Sequence, residues 1–228
     1  MTFCWCPPGT LAGERGRGRS AGERTAGFWI AQHPVNQAQW QAVMGENPSQ
    51  RGSGPEFPVD SVSWEDAKEF CKKAGLRLPF EREWENACRA GTTTAFAVSS
   101  GEAINSQLAN FDGSYPDGDG RNSFKWLYRE RTLPQGSFPP NAWSLHDMHG
   151  QLWEWCEDFY DDDRRYRVLR GGSWFGVGGS ARSAHRNRNT PGYRDYGIGF
   201  RPCPSSTSPA GGAGTAGGRE VSAERGKE

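Results

Sequence analysis

The chain has 228 residues, 27 Lys+Arg balanced by 27 Asp+Glu, 34% hydrophobic residues, and 10 Trp and 12 Phe beside 31 Gly and 15 Pro. That length can bury a core without metal or disulfide staples, and the aromatic count implies a core of a few large rings rather than many aliphatic chains. The charge balance removes a whole-molecule electrostatic case for nucleic acid or an anionic membrane, and no apolar run approaches the ~18 residues that a membrane span needs. Together with an amino terminus that lacks a basic region followed by an apolar stretch, this predicts a cytoplasmic protein with one main domain, residues 1–203, and a tail, 204–228.

In chain order, Phe3 to Pro8 reads as a short strand turning at Gly9-Thr10, with Cys4 and Cys6 on one face. The remaining cysteines, at 71, 88, 156 and 203, are scattered and form no paired metal pattern. Residues 12–25 are low in complexity and expected as a solvated loop, whose Arg/Gly alternation is broken by acidic residues. Gly27 to Ala31 reads as a strand. Asn36 then caps a helix with Gln39 as its third residue, a stripe of Trp40, Val43 and Met44, and a stop at Gly45. Ser63 and Asp66 form a second capping box ahead of Ala67, Phe70, Cys71 and Ala74, with Gly75 closing the helix. Leu76 to Pro79 leads into a third helix, Glu81 to Ala90, with Trp84, Ala87 and Cys88 on one face.

From Gly91 to Pro140 periodicity is lost over a length beyond any ordinary connection. Phe96, Phe111, Tyr115, Phe124, Trp126, Tyr128 and Phe138 predict loops tied down by ions and aromatic rings rather than disorder. Order resumes at Asn141 to Cys156, where Asp147 and Glu154 bracket a glycine-containing turn. Two carboxylates with intervening carbonyls suit a hard cation such as calcium, and a salt bridge or cap is the alternative use of the same residues. His146 and His149 lack the third ligand that zinc requires. Tyr166 to Arg170 reads as a strand that opens a segment closing at Gly199-Phe200-Arg201. Between those ends lie Gly, Ser, Arg, Asn, His and Tyr with almost no aliphatic residue, too few apolar groups for a core. Pro204 to Glu228 is expected to be a disordered tail.

Several ordered motifs resemble the sulfatase-modifying-factor family, the formylglycine-generating-enzyme-like domains of C-type-lectin-like fold. They are Pro34-Val35-Asn36-Gln37-Ala38-Gln39-Trp40, Pro58 to Trp64, Leu76-Arg77-Leu78-Pro79 with Glu83-Trp84-Glu85, Cys88-Arg89-Ala90-Gly91, Ala109-Asn110-Phe111, Gly150-Gln151-Leu152-Trp153-Glu154-Trp155, Arg170-Gly171-Gly172-Ser173-Trp174 and Gly199-Phe200-Arg201. The resemblance implies an α+β domain with a small twisted antiparallel sheet, two or three helices and extensive ordered loops. It also implies a calcium site using the Asp147 and Glu154 side chains and the Gly150 and Leu152 carbonyls, with Gln151 standing where Asn is usual. A Cys71–Cys203 disulfide is conceivable on the same basis. The family's oxidising enzymes use a pair of copper-binding cysteines after the Gly-Gly-Ser motif. Here no cysteine lies between Cys156 and Cys203, so copper is not expected.

What remains resembles the variable proteins of diversity-generating retroelements, whose last segment carries diversified positions. That implies a non-catalytic protein binding an unknown protein or other macromolecular ligand through Phe175, Gly176, Val177, Ser180, His185, Tyr193, Asp195, Tyr196 and Gly197. The composition suits the role independently: Tyr supplies contact area at low entropy cost, and Ser and Gly supply adaptable contacts. Arg182, Arg186, Arg188 and Asn189 are expected to bond internally as framework, which leaves no basic patch for nucleic acid. Two rivals are an oxidoreductase with an atypical metal centre at His146, His149 or His185, and a sensory accessory module.

Overall fold

Side-chain caps set where the helices begin. In the computed structural model, which describes residues 1–10, 24–115 and 127–205, the Gln39 amide donates to Asn36 Oδ1 at 2.8 Å and the Asn36 amide to Gln39 Oε1 at 3.2 Å, opening α1 (Gln37–Met44). Ser63 and Asp66 make the same reciprocal pair at 3.1 and 2.9 Å to open α2 (Trp64–Ala74). At α3 (Glu81–Arg89) the Phe80 amide donates to Glu83 Oε2 at 2.8 Å. Caps of this kind stabilise a helix by about 1 kcal/mol each. Most of the 12–25 stretch, the tail beyond Ser205, Phe124 and Trp126 lie outside the described residues.

The strands β1 (Phe3–Cys6), β2 (Gly9–Thr10), β3 (Arg24–Thr25) and β4 (Phe28–Ala31) form nested antiparallel pairs, β1 with β4 and β2 with β3. Strand β5 (Leu76–Arg77) pairs with β10 (Cys203–Pro204) near the end of the described chain. The largest sheet contains β6 (Trp153–Phe159), β7 (Arg167–Arg170), β8 (Arg186–Asn189) and β9 (Ile198–Gly199) in the order β8-β7-β6-β9. It is mixed rather than purely antiparallel, because β9 runs parallel to β6. The registers explain this: Asn189 pairs with Arg167, which pairs with Phe159, whereas Ile198 pairs with Trp153. Residues 190–197 therefore travel back along the sheet from one end of β6 to the other. On the way, the Pro191 carbonyl accepts the Trp64 amide at 3.0 Å at the start of α2.

Three apolar clusters hold these parts. Trp40, Phe70 and Phe200 meet between α1, α2 and the sheet, with Trp40 and Phe70 stacked at 5.5 Å. Cys6, Phe28, Trp84, Cys156 and Val168 fill the space between β4, α3 and the sheet. Cys4 packs against the same cluster as Cys6, as strand alternation requires. The third cluster, Phe96, Val98, Ile104, Ala109, Phe111 and Ala181, anchors residues 96–111 of the aperiodic tract. Tyr115 and Tyr128 lie outside that cluster, 61% and 37% exposed, and Tyr128 stacks instead on Trp174. All six cysteines are free thiols, Cys71 and Cys203 included.

Candidate functional site

The segment from Arg170 to Arg201 is pinned at both ends by buried arginines. Arg170 donates to Glu81 at 3.1 Å, to Glu85 at 2.9 Å, and to the Ser183 and Ala184 carbonyls at 2.5 and 3.3 Å. Arg201 meets Glu154 in a two-pronged pair at 2.7 and 2.8 Å and donates to the carbonyls of Ala31, Gln32 and His146. Both guanidiniums are fully buried. Burial alone would lower the pKa of Arg201, but Glu154 outweighs it and holds the pKa above its ordinary value. Arg186 joins the network through Glu81 at 2.6 and 2.9 Å. Gly172, at φ 79°, lies against Ala181 at a distance a Cβ would cut to 3.1 Å, letting the chain turn out of β7 onto the surface.

Between those pins an aromatic surface forms. Trp174 is 3% exposed and serves as its floor. Phe175 stands edge-on to it at 5.0 Å and Tyr196 is tilted beside it at 5.6 Å, while Phe175 and Tyr196 are 5.3 Å apart. Trp174 Nε1 donates to the Tyr196 carbonyl at 3.2 Å, and the Trp174 amide to the Gln151 carbonyl at 3.0 Å. Tyr128 stacks on Trp174 at 5.9 Å, and the Arg51 guanidinium covers Tyr196 at 4.9 Å and Trp174 at 5.7 Å. Val177 and Tyr193, from the same segment, are exposed. The Asp195 carboxylate accepts the Gly197 amide at 2.8 Å, and as the largest cause it raises the pKa of the Tyr193 phenol.

The nine positions suggested by the sequence therefore divide. Val177 and Tyr193 are exposed, and Phe175, Gly176, His185, Asp195 and Tyr196 are half-buried, with a Cβ at Gly176 lying 2.8 Å from the Ser180 hydroxyl. Ser180 and Gly197 do not face outward. Ser180 sits in a 3₁₀ turn, Gly178–Ala181, with its hydroxyl donating to the Val177 carbonyl at 2.6 Å. Gly197 backs onto Phe175, whose ring would lie 2.2 Å from a Cβ there. His185 packs on Trp153 at 5.8 Å, apart from the aromatic group. Among the framework residues, Arg186 is internal as expected, but Arg182 and Arg188 are exposed, the latter paired with Asp161 at 3.1 Å across the sheet edge. Arg51 and Tyr128 are the members that sequence periodicity does not reveal. Each comes from a loop and is placed by tertiary contacts alone.

The residues of the four-residue calcium set differ in how far their oxygens are already engaged. Both Glu154 oxygens receive Arg201, and Oε2 also takes Trp84 Nε1 at 2.7 Å, so the carboxylate already has a counter-charge and three donors. The Gly150 carbonyl accepts the Leu152 amide at 2.9 Å. Asp147 is buried beside His33, with Oδ2 4.0 Å from the ring nitrogen, while its Oδ1 is buried without a hydrogen-bond partner and is the one oxygen of the set's two carboxylates left open to a cation. Among the described residues no three His, Cys, Asp or Glu side chains gather where a metal could be held. His149, named in the rival metal reading, is spoken for: its Nδ1 bonds the Ala181 carbonyl at 2.8 Å and its Nε2 accepts the Ala97 amide at 3.0 Å. Gln151 also has a structural use, joining Asn110 at 2.8 Å to both backbone groups of Leu133 at 3.1 and 2.8 Å.

Residues 3–204 match the sulfatase-modifying factor enzyme 1-like domain. The chain is 35% identical over 196 residues to the inactive C-alpha-formylglycine-generating enzyme 2 of Bos taurus, covering 81% of this chain and 61% of that one. It is 30% identical over 197 residues to the formylglycine-generating enzyme of the same species, covering 77% and 50%. It thus spans less than two thirds of either relative, one named as inactive and one as an enzyme. Among solved structures, Treponema denticola variable protein 1 shares the fold with a TM-score of 0.71 at 23% identity, covering 89% of this chain and 94% of that one.

Proposed function

The chain belongs to the sulfatase-modifying factor enzyme 1-like domain family, and within that family we propose that it is a non-catalytic binding protein whose 175–196 surface is diversified by a retroelement to engage a protein or other macromolecular ligand. The observation that carries this reading is the half-buried aromatic pair of Phe175 and Tyr196 seated on a Trp174 floor, with the exposed Tyr193 in the same segment, between two buried arginine pins. Large, stiff rings give contact area at low entropic cost, and a locked scaffold lets them vary without entering the core. The likeness in fold to a protein titled variable protein 1 is compatible with the same use. The absence of any cysteine between Cys156 and Cys203 weighs against the copper chemistry that the family resemblance implies for its oxidising enzymes.

The test is genomic. The neighbourhood of the gene is expected to hold a reverse transcriptase and an adenine-rich near-copy of the stretch encoding residues 170–201. Absence of both removes the retroelement, and stoichiometric copper or iron with turnover of a cysteine-containing peptide removes the non-catalytic reading.

A further inference from the structure

Arg51 is exposed, yet it is among the best-positioned side chains near the aromatic surface. Its amide donates to Asp60 Oδ2 at 3.2 Å, and its carbonyl accepts the Thr132 hydroxyl. Asp60 and Thr132 are both fully buried. Asp60 also receives the Gln50 amide and the Ser61 hydroxyl, each at 2.8 Å, so a carboxylate inside the fold fixes this short stretch of loop. From that anchor the guanidinium reaches across the Tyr196 and Trp174 rings. Among the described residues no carboxylate lies within ion-pair distance of it. The nearby acids have other roles: Asp195 holds the Gly197 amide, Asp112 holds the Ser114 amide at 3.0 Å, and Asp112 with Glu130 raises the pKa of Tyr128 after burial, the larger cause.

A guanidinium held over aromatic rings keeps a planar fork of N–H donors for a further partner. It has already lost much of the rotamer freedom that binding would otherwise cost. We infer that Arg51 is the charged anchor of the aromatic surface and that the site takes a protein partner presenting an Asp or Glu carboxylate next to an apolar or aromatic side chain. The carboxylate meets the Arg51 fork, and its neighbour packs on the rings of Tyr196 and Tyr128. This rests on the proposed binding role and adds to it the chemical class of partner. It also adds a fixed residue outside the 175–197 segment, so the charge preference persists when that segment varies.

The probe is a displayed library of random peptides selected on the full chain, with the binders measured against Arg51→Gln, Arg51→Lys and Tyr196→Ala. Selected peptides are expected to be enriched in Asp or Glu beside aromatic or leucine residues. Their affinity should fall about tenfold for Arg51→Gln, the loss expected of one charged hydrogen-bonded contact. The lysine variant should recover only part of it, because an ammonium cannot make the two-pronged contact. Binders without acidic enrichment, or affinity within twofold for Arg51→Gln while Tyr196→Ala abolishes binding, overturn the inference and leave the binding role intact. Binders indifferent to all three variants overturn both. Thermal unfolding of Arg51→Gln is expected to match the parent, since the anchoring bonds are made by backbone.

Discussion

Arginines do two kinds of work around the last segment of this molecule. At Arg170 and Arg201 the guanidiniums are buried, each facing carboxylates and carbonyls from elements distant in sequence. At Arg51 the guanidinium is exposed and lies on aromatic rings. The contrast shows how one fold separates holding from presenting. Buried charge paired with carboxylates is costly to disturb and so fixes geometry, whereas exposed rings and a free charged edge contribute little to folding and remain available to a partner.

The comparison breaks if the pins prove dispensable. Arg201→Ala removes two hydrogen bonds to Glu154 and those to the Ala31, Gln32 and His146 carbonyls at once and leaves a buried carboxylate without its counter-charge. A loss of about 3–5 kcal/mol is expected in urea unfolding. A loss under 1 kcal/mol would mean that the segment is held by other means. The next effect in size depends on pH. Burial depresses the His149 pKa to about 4, and the neutral ring joins the Ala97 amide to the Ala181 carbonyl under the 3₁₀ turn. An unfolded histidine titrates near ~6.5, so the unfolded state takes up a proton first. Stability is therefore complete above that value, falls as pH drops towards about 4, and levels off below it, with a total near ~3 kcal/mol. Urea midpoints measured from pH 7.5 to 4.5 check the slope, and His149→Gln should flatten it.

The helices were legible because their signals are local. Asn36 with Gln39 and Ser63 with Asp66 sit within one turn of each other, so spacing alone identifies the caps. The Arg170 and Arg201 ends were legible as motifs, but what they bind was not. Asp147 and Glu154 look like a cation pair in sequence, while the charge that Glu154 meets arrives from 47 residues away. Strand β8 reads as loop because Arg-Asn-Arg-Asn has no apolar alternation; it exists through its register with β7, and its charges suit a sheet edge. Ser180 and Gly197 fit the composition of a contact surface, yet a 3₁₀ turn and a ring placed against bare backbone turn them inward. Arg51 lacked any signal, and Tyr128 was legible only as one ring of an aperiodic tract, since a ring stack between distant loops leaves no period in the chain.

The smallest expected effect on folding lies on the presenting side and sharpens the comparison most. Tyr193 is 41% exposed and its hydroxyl reaches Asp195 only at 3.5 Å, the outer limit of a useful hydrogen bond, while Val177 is 49% exposed. Neither occupies a core cluster, so truncation removes little buried surface and opens no cavity. Tyr193→Ala and Val177→Ser should each change unfolding free energy by no more than about 0.5 kcal/mol, and together by no more than their sum. Affinity for the selected peptides should fall severalfold in the same proteins, because rigid aromatic contacts dominate such surfaces. If the double variant instead lost as much stability as a core truncation, the exposed rings would be part of what holds the fold, and holding and presenting would not be separable here.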